Sequence, residues 1–524
     1  MFTQFLTRLY FLTLVCFASI TPVCLASQTG QLTSLTAEGQ KRANDRQVRL
    51  NVAKGYADAH KKALSGYLSS LNGTCAWLIA QQDKESALKI VAEMDAADSS
   101  NIYSAGLKKN IDAIAKAQYL DEPHTKELAS RLKSARKIKA GGLLSLARTC
   151  HDANLLGYSF DLIGEMLDAD PDDSVAHMAL GEVKVGANWQ TPFAAAQISA
   201  GKSYVLGKGW VPAAAAERIG NGEWFEDNKW MTMAEADKLH ADTEKPWIVE
   251  TDNFILRSTD SRKQTIQVAE RLEGIRHLCF RQFLEFFMRG SAKKGAQLLF
   301  NQSAPKKMLV YFFGKQEEYA RFCTKEMKGR DTSLILQSAG FYSPSLHNCY
   351  FYRGEQPQSF IIPLMQHEVT HQVLGEFAHG GNPPTWMAEG IAGVLEFATL
   401  DAQRKLTLPS GIDHAEVLHA CEMLADGSLP SAGSVMNTTH ASFHSMNRRR
   451  NYVVSGALCR FLLEMQNGAY AADFLECMSD SYRGVRSGTV NLSDYLAMDN
   501  AEIDKQFRAF LKNESAKLQP PKKI

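Results

Sequence analysis

Apolar residues recur at helical spacing from about residue 37 to residue 181, in a stretch rich in alanine, leucine, lysine and glutamate and poor in proline. Residues three and four positions apart share one face of a helix, so this spacing predicts amphipathic helices that pack on one another.

Trp189, Trp210 and Trp230 follow, about 20 residues apart. They predict a repeated turn, each packing an aromatic ring ahead of a short helix, in region 186–245; the alternative is a chance recurrence.

The end of the helical stretch, residues 143–183, has the pattern of paired helices. The turn Asp170-Pro171-Asp172-Asp173 separates an apolar-periodic helix from one that carries Ala176 and Ala179. Small side chains at crossing positions let two helices approach, and the pattern resembles one tetratricopeptide-like hairpin rather than an array of repeats. Residues 27–185 are therefore predicted to form a helical, tetratricopeptide-like module, which offers a surface to a protein partner.

The pattern changes after Lys245-Pro246, where short apolar runs with strand character appear. The predicted strands are 253–258, 308–313, 340–342 and 348–352, and the predicted helices between them are 265–287 and 317–328. The last two strands are expected to pair around Ser343-Pro344. From Leu364 onward nearly all of the chain is helical in pattern. The sequence therefore predicts an α+β fold with a domain boundary near residue 246.

A metal-binding pattern lies at the start of this last helical part, in residues 361–374, IIPLMQHEVTHQVL. His367 and His371 are four residues apart, so a helix presents both imidazoles on one face to a single ion. Glu368 is turned away from that face and can reach a water on the metal rather than the metal itself. Pro363 is expected in the first turn of this helix, and Gly375 is expected to end it.

A catalytic zinc site needs a third protein ligand and one open position. Glu389, within residues 385–392, TWMAEGIA, lies 18 residues after His371. This distance allows the first helix to end, a loop to reverse the chain and a second helix to bring the carboxylate back. Thr385 is expected to cap the second helix, and Gly390 is expected to let the two helices approach closely.

The motif HExxH followed at this distance by WxxEGxA resembles the gluzincin peptidases, the clan that contains thermolysin and the aminopeptidase-N-like enzymes. The span from about 250 to 515 also resembles a domain-of-unknown-function family of large exported bacterial proteins with a gluzincin-like core. This resemblance implies a thermolysin-like domain, residues 246–515, with a small sheet, a C-terminal helical bundle and a short tail, 516–524.

The resemblance also implies residue roles. His367, His371 and Glu389 are expected to hold Zn²⁺, and Glu368 is expected to act as general base in the hydrolysis of peptide bonds in a peptide or protein substrate. Gluzincins stabilise the oxyanion with a later tyrosine or histidine, and Tyr452 lies in that region. The alternative for Tyr452 is a packed tyrosine at a helix start.

Some positions depart from the gluzincin pattern. No GxMEN segment occurs near 340–360, so the resemblance does not carry over an exopeptidase specificity. Position 393, one turn after Glu389, is glycine, which leaves Glu396 as a weaker candidate to orient a ligand histidine. His440 and His444 are predicted to be polar surface or cleft residues, and Arg448-Arg449-Arg450 is predicted to be solvated.

The N-terminus predicts export. Arg8 is the only charge before residue 30, an apolar run extends from Leu9 to Ile20, and small residues surround Ala26. These features predict a secretory signal peptide, residues 1–26, and a periplasmic or extracellular protein; the alternatives are an uncleaved anchor and a buried first helix. No other stretch is apolar for long enough to predict a membrane helix.

Composition adds little to this picture. The chain is 45% hydrophobic and 22% charged with a net charge of +1, which is typical of a globular protein and gives no indication of a nucleic-acid partner. Eight cysteines follow the predicted signal peptide. In an exported protein they permit disulfides whose pairing the sequence leaves open, although several fit core positions.

Two alternatives to a peptidase remain open at this point. The first is a non-catalytic exported binding protein with a vestigial zinc site, in which the helical module recognises a partner. The second is a zinc hydrolase that acts on another amide or an ester. An intact Glu368 argues against the first, because a purely structural zinc site has no use for a general base.

Overall fold

The computed structural model describes residues 37–289, 295, 297–300, 306–327, 338–378, 381–402, 405–445, 447–484 and 491–518. The predicted signal peptide and the end of the predicted tail, residues 519–524, lie outside the described residues. The fold is α+β, as predicted, with many helices around one small mixed sheet. None of the described helices combines the length and the apolar character needed to cross a membrane.

The N-terminal region consists of six helices. They are α1 (Ala37–Ala80), α2 (Lys84–Ala97), α3 (Ser104–Asp112), α4 (Glu122–Asp152), α5 (Leu156–Ala169) and α6 (Ser174–Ala179). The predicted turn joins α5 to α6, and the side chain of Asp173 caps α6 by accepting a hydrogen bond from the backbone N–H of Ala176. The second helix of the predicted hairpin is thus only six residues long.

Each of the three regularly spaced tryptophans lies on the second strand of an antiparallel hairpin that a helix follows. The units are β1 (Val183–Val185), β2 (Asn188–Gln190) and α7 (Pro192–Ser199); β3 (Lys202–Val205), β4 (Gly209–Pro212) and α8 (Ala216–Gly220); and β5 (Glu223–Glu226), β6 (Lys229–Thr232) and α9 (Met233–His240). Residues with positive φ, such as Gly186 and Asn228, form the tight turns. The recurrence therefore corresponds to a repeated hairpin–helix unit rather than to a simple turn.

The central sheet has five strands in the order β10-β11-β9-β8-β7. Its elements are β7 (Trp247–Glu250), β8 (Phe254–Ser258), α10 (Arg262–Gln282), α11 (Leu284–Phe287), β9 (Met308–Phe313), α12 (Gln316–Glu326), β10 (Gly340–Ser343) and β11 (Asn348–Tyr352). β8, β9 and β11 are parallel, whereas β7 and β10 pair antiparallel at the two edges. The pairing of β10 with β11 was predicted; β7 was not.

The remainder of the chain is almost entirely helical, as predicted. Its elements are α13 (Gln358–Phe377), α14 (Thr385–Glu396), β12 (Thr399–Leu400), β13 (Leu406–Thr407), α15 (Ala415–Ala425), α16 (Ala432–Met436), α17 (His440–Phe443), α18 (Arg448–Gly468), α19 (Ala471–Arg483), α20 (Leu492–Leu496) and α21 (Asn500–Lys517). α14 packs on both α13 and α18. This packing places the two motif-bearing helices side by side.

Three local predictions about the motif helices were wrong. α13 begins at Gln358, so Pro363 lies inside it rather than in its first turn. Burial of Ile361 in the cluster of side chains beside the sheet extends the helix ahead of the proline. α13 also continues past Gly375 to Phe377, and Thr385 is the first residue of α14, with Pro384 at the cap position.

The start of α1 docks on the C-terminal helices through three buried arginines. Arg46 Nε lies 2.6 Å from Oδ2 of Asp473, and Arg49 Nη2 lies 2.7 Å from its Oδ1. Arg42 pairs with Glu476 on the same helix, α19. These contacts join residues more than 400 positions apart in the chain. Ion pairs therefore hold α1, the first helix of the N-terminal region, against α19 near the C-terminus.

All eight cysteines after the predicted signal peptide are buried and free of disulfide bonds. They are Cys75, Cys150, Cys279, Cys323, Cys349, Cys421, Cys459 and Cys477. Burial raises the pKa of several of these thiols, to about 12 for Cys150 and Cys279. The cysteines therefore act as small core residues in this structure.

Candidate metal centre

The three predicted metal ligands meet between α13 and α14. Nε2 of His367 lies 3.1 Å from Oε2 of Glu389, and Nε2 of His371 lies 3.6 Å from the same oxygen. One ligand atom from each of the three residues lies within 4.8 Å of the other two. His367 is 8% exposed, and the other two side chains are half-buried. The site therefore opens toward solvent on the side of His371 and Glu389.

These separations fit a tetrahedral metal ion. Two ligand atoms that each lie about 2.1 Å from a tetrahedral zinc are about 3.4 Å apart. The observed distances of 3.1 Å and 3.6 Å bracket this value. Two imidazole nitrogens with one carboxylate oxygen are also the donor set of a catalytic zinc site with one free position. The three residues thus have the donor atoms and the spacing to hold a metal ion.

The charges of the site favour an ionised Glu389. Burial disfavours the carboxylate, but the charge of His371 and the hydrogen bonds from both histidines outweigh it and hold the pKa of Glu389 well below its usual range. Burial likewise disfavours a charged His367, but hydrogen bonds to Glu389 and Glu396 outweigh it and raise the pKa of that imidazole. His367 and Glu389 therefore stabilise each other's charged forms.

Glu396 holds His367 from the side opposite to the metal ligands. Its Oε2 lies 3.1 Å from Nδ1 of His367. A carboxylate on Nδ1 fixes the ring orientation and leaves Nε2 to face Glu389. Gln366 holds the C-terminal end of α14, where Glu396 lies. Its amide nitrogen donates to the carbonyl oxygens of Leu395, Glu396 and Ala398 at 3.1, 2.7 and 3.2 Å. Gln366 thus adds hydrogen bonds to carbonyl groups at the helix end, a role that sequence reasoning missed.

Glu368 lies beside the edge strand of the sheet. Its Oε2 accepts a hydrogen bond of 2.9 Å from the backbone N–H of Tyr342 on β10. Glu368 does not belong to the ligand group formed by the two histidines and Glu389. Its second oxygen, Oε1, is the one left to contact a water or a substrate.

Tyr452 and His444 also line the site. The Tyr452 hydroxyl lies 3.4 Å from Nδ1 of His444, and Nε2 of His444 lies 4.0 Å from Oε1 of Glu389. Burial raises the pKa of Tyr452 above its ordinary value, and the charge of Glu389 adds to the rise. The tyrosine is therefore a hydrogen-bond donor at neutral pH. Arg448 lies over its ring, 5.5 Å from the centroid.

The approach of His444 to the metal ligands was missed by sequence reasoning, which treated it as an ordinary surface or cleft residue. Its side chain is 27% exposed and faces Glu389, whereas His440, at the start of the short helix that ends just before His444, is exposed. The position of His444 eight residues before Tyr452 carries no local signal of a site. Only the packing of α17 against α14 brings it there.

Gly390 gives α14 a close approach to α18, not to α13 as predicted. A Cβ added at Gly390 would lie 2.6 Å from the carbonyl oxygen of Ser455 and 2.7 Å from Sγ of Cys459. Both are atoms of α18, and the buried carbonyl cannot move without moving its helix. The glycine next to the third ligand is therefore needed for the packing of the helix that carries Tyr452.

We expect Gly390→Ala to lower the free energy of unfolding by at least about 2 kcal/mol, because the added methyl overpacks a buried crossing. Gly164→Ala is the matched control, since a Cβ at this helical glycine of α5 has nothing within 4 Å. Removing a flexible glycine there should be neutral or should stabilise by up to about 1 kcal/mol. Chemical denaturation of both variants tests this, and an equal response of the two would contradict it.

Comparisons with known proteins add no assignment. No protein family, curated protein or solved protein structure matches this chain.

Proposed function

We propose that this protein is a zinc-dependent hydrolase of peptide bonds, a metallopeptidase of the gluzincin type. The observation that carries the proposal is the convergence of His367, His371 and Glu389, whose ligand atoms all lie within 4.8 Å of one another. A helix supplies the two histidines at the spacing of HExxH, and a second helix supplies the glutamate. Glu368, between the two histidines, gives the site a base that is not itself a ligand.

A zinc ion held by His367, His371 and Glu389 would supply a Lewis acid that polarises a carbonyl group and lowers the pKa of a water. Glu368 takes the proton from the water that attacks the carbonyl carbon, and gives it to the amine that leaves when the C–N bond breaks. The hydrogen bond from Tyr342 N–H occupies only one oxygen of Glu368, so it orients the carboxylate and leaves the other oxygen free for the proton.

Tyr452 and His444 donate hydrogen bonds to the oxyanion that forms on the attacked carbonyl. Both stand on the Glu389 side of the centre, His444 at 4.0 Å from Oε1 of Glu389. The half-buried tyrosine keeps its proton because its pKa is raised. Donors fixed in advance by packing stabilise developing charge without having to reorganise during the reaction.

A peptide chain is the substrate that fits the surroundings of Glu368. Among the described residues, β10 pairs only with β11 and so forms an edge of the sheet. The free edge of a strand can pair with an extended peptide through main-chain hydrogen bonds. β10 runs directly beside Glu368, as the contact at Tyr342 requires. A peptide bound there would present its carbonyl groups to the site.

The finer features of fold and location belong to the same proposal. We assign the arrangement of β10, α13, α14 and α18 to a thermolysin-like domain, and the helices of residues 37–179 to a tetratricopeptide-like module that binds a protein partner. The signal-like N-terminus supports export to the periplasm or the exterior. An exported peptidase meets peptides and proteins as its natural substrates.

Zinc content and peptide hydrolysis test the proposed function together. We expect the full-length mature chain to bind one zinc ion and to cleave peptides from a fluorogenic library, with activity lost on chelation and restored by zinc. His371→Gln should lose both properties. His440→Gln is the control, since this exposed histidine lies outside the ligand group. Absence of zinc from the wild-type protein would refute the proposal, and zinc without hydrolysis of peptides would favour the non-catalytic or non-peptide alternatives.

A further inference from the structure

A buried carboxyl group lies directly behind the metal centre and takes no part in the mechanism described above. It belongs to Glu416, the second residue of α15, which is 6% exposed. A Cβ added at Gly393 on α14 would lie 2.5 Å from its Oε1. A Cβ added at Gly456 on α18 would lie 1.5 Å from its Oε2. The carboxyl therefore occupies space that exists only because both neighbouring positions are glycine.

Both glycines stand one helical turn from a residue of the site. Gly393 follows Glu389 by four residues on α14, and Gly456 follows Tyr452 by four residues on α18. One turn of α-helix rises about 5.4 Å. The carboxyl of Glu416 is therefore inserted between the helices that carry the third ligand and the oxyanion donor, one turn behind both residues.

The start of α15 is fixed in this place by its neighbours. Nε2 of His414, the residue that precedes α15, lies 3.1 Å from the carbonyl oxygen of Val394 on α14. His414 is fully buried. This contact anchors the first turn of α15 to the last turns of α14. The insertion of the Glu416 side chain is thus part of a defined junction between helices and not the chance position of a mobile side chain.

Burial raises the pKa of Glu416 well above its usual value, and the charge of Glu396 adds to the rise. The charges of His367 and Arg460 lower the pKa of Glu416. The Glu416 carboxyl in turn contributes to the raised pKa of the Cys459 thiol. Oε2 of Glu416 has no hydrogen-bond partner among the described residues. Burial without a partner thus favours the neutral form of this carboxyl group.

We propose that Glu416 is a positioning residue of the metal centre: its carboxyl fills the gap between Gly393 and Gly456 and sets the distance between α14 and α18. Glu389 and Glu396 on one helix and Tyr452 on the other are thereby held in register with the two histidines. This inference rests on the proposed function. It also accounts for the glycine at position 393, where a side chain on α14 itself would exclude the Glu416 carboxyl.

Filling of space alone does not explain a glutamate here. An apolar side chain could fill the same gap without burying a carboxyl group that lacks a hydrogen-bond partner, which is destabilising. Two glycines in helix interiors are destabilising as well, relative to alanine. A buried polar group within range of the charges of Glu396 and His367 points to a role in the site.

Zinc affinity of four variants tests this role. Glu416→Ala should raise the zinc dissociation constant about 10- to 100-fold, as loss of a supporting residue around a metal site does. Glu416→Gln keeps the shape and neutrality of a protonated carboxyl and should stay within about threefold of wild type. Gly456→Ala should act like Glu416→Ala because its methyl displaces the carboxyl. The double variant Glu416→Ala/Gly456→Ala should recover part of the loss, since the methyl then occupies vacant space.

Zinc affinity is measured by competition with a chromophoric chelator, and folding of each metal-free variant is checked by circular dichroism and thermal unfolding. A purely structural Glu416 would lower the melting temperature and leave zinc affinity unchanged, which would overturn the proposal. Equal defects in Glu416→Gln and Glu416→Ala would overturn it as well. If Glu416→Ala does not fold, the Gln and Gly456→Ala variants decide between the same outcomes.

The outcomes separate this inference from the proposed function. A wild-type protein that binds no zinc refutes the proposed function, and the inference fails with it. A wild-type protein that binds zinc and whose affinity is insensitive to Glu416→Ala refutes the inference alone. In active variants, the effect should appear in kcat rather than in KM, because Glu416 holds the catalytic groups and does not contact the substrate.

Discussion

Glu368→Gln is expected to lower kcat/KM for peptide hydrolysis by about 10²- to 10⁴-fold, the usual contribution of a general base. Glutamine has nearly the same shape and can still contact the backbone N–H of Tyr342 through its amide oxygen. It cannot take the proton from the attacking water. Since Glu368 is not one of the three residues whose ligand atoms converge, the zinc content of the variant should equal that of wild type.

The matched control is Glu376→Gln on the same helix. Glu376 accepts hydrogen bonds from the Tyr342 hydroxyl and from Nδ1 of His347, both at 2.8 Å, and does not belong to the ligand group. It should change kcat/KM by less than about threefold, as expected of a partly exposed contact. Steady-state rates with a single fluorogenic peptide, together with zinc analysis, give the comparison. A Glu368→Gln protein that keeps more than a tenth of the wild-type rate would show that another group is the base.

Asp473→Ala is expected to lower the free energy of unfolding by about 3–5 kcal/mol, because it leaves two buried guanidinium groups without their counter-charge. The side chains of Arg46, Arg49 and Asp473 are 8%, 4% and 3% exposed. Breaking a buried pair by removing one partner costs far more than the net value of the pair. Arg46 also donates to the carbonyl oxygens of Tyr495 and Leu496, so it cannot leave its site without further losses.

Chemical denaturation followed by circular dichroism measures this effect. The control is Glu85→Ala, which removes an exposed ion pair with Lys89 on α2 and should cost less than about 0.5 kcal/mol. Limited proteolysis gives a second readout, since α1 should become cleavable near its start when its anchor on α19 is lost. A cost below about 1 kcal/mol for Asp473→Ala would mean that the pairs of Arg46 and Arg49 with Asp473 do not hold α1 in place.

Much of the secondary structure could be predicted from local patterns. The alternation of apolar residues predicted β8, β9 and the β10–β11 pair, and the helical spacing predicted the helices on both sides of the sheet. β7 was missed because its four residues, Trp247–Glu250, carry too short a pattern. The ends of α13 and α14 were misplaced because packing of residues such as Ile361 outweighs the usual positions of proline and glycine.

The donor set of the candidate site could also be predicted, whereas its surroundings could not. His367 and His371 share a helix face by spacing alone, and the interval to Glu389 suffices for a helix, a reversal and a second helix. The positions of His444, Gln366 and Glu416 depend on which helices become neighbours in space. No local pattern marks them, because each acts through an element that lies far from it in the chain.

The sequence by itself determined the helical and mixed character of this protein, because this follows from periodicities of two and 3.6 residues within single segments. It also indicated which three side chains converge, because two of them share a helix face and the third follows after a distance that allows a reversal of the chain. Only the tertiary structure decided that Gly390 meets α18, that Glu416 fills the space beside Gly393, and that α1 is tied to Asp473. Such contacts arise when separate segments pack to exclude water, and the partner of a buried group is then chosen by the shape and charge of the whole fold.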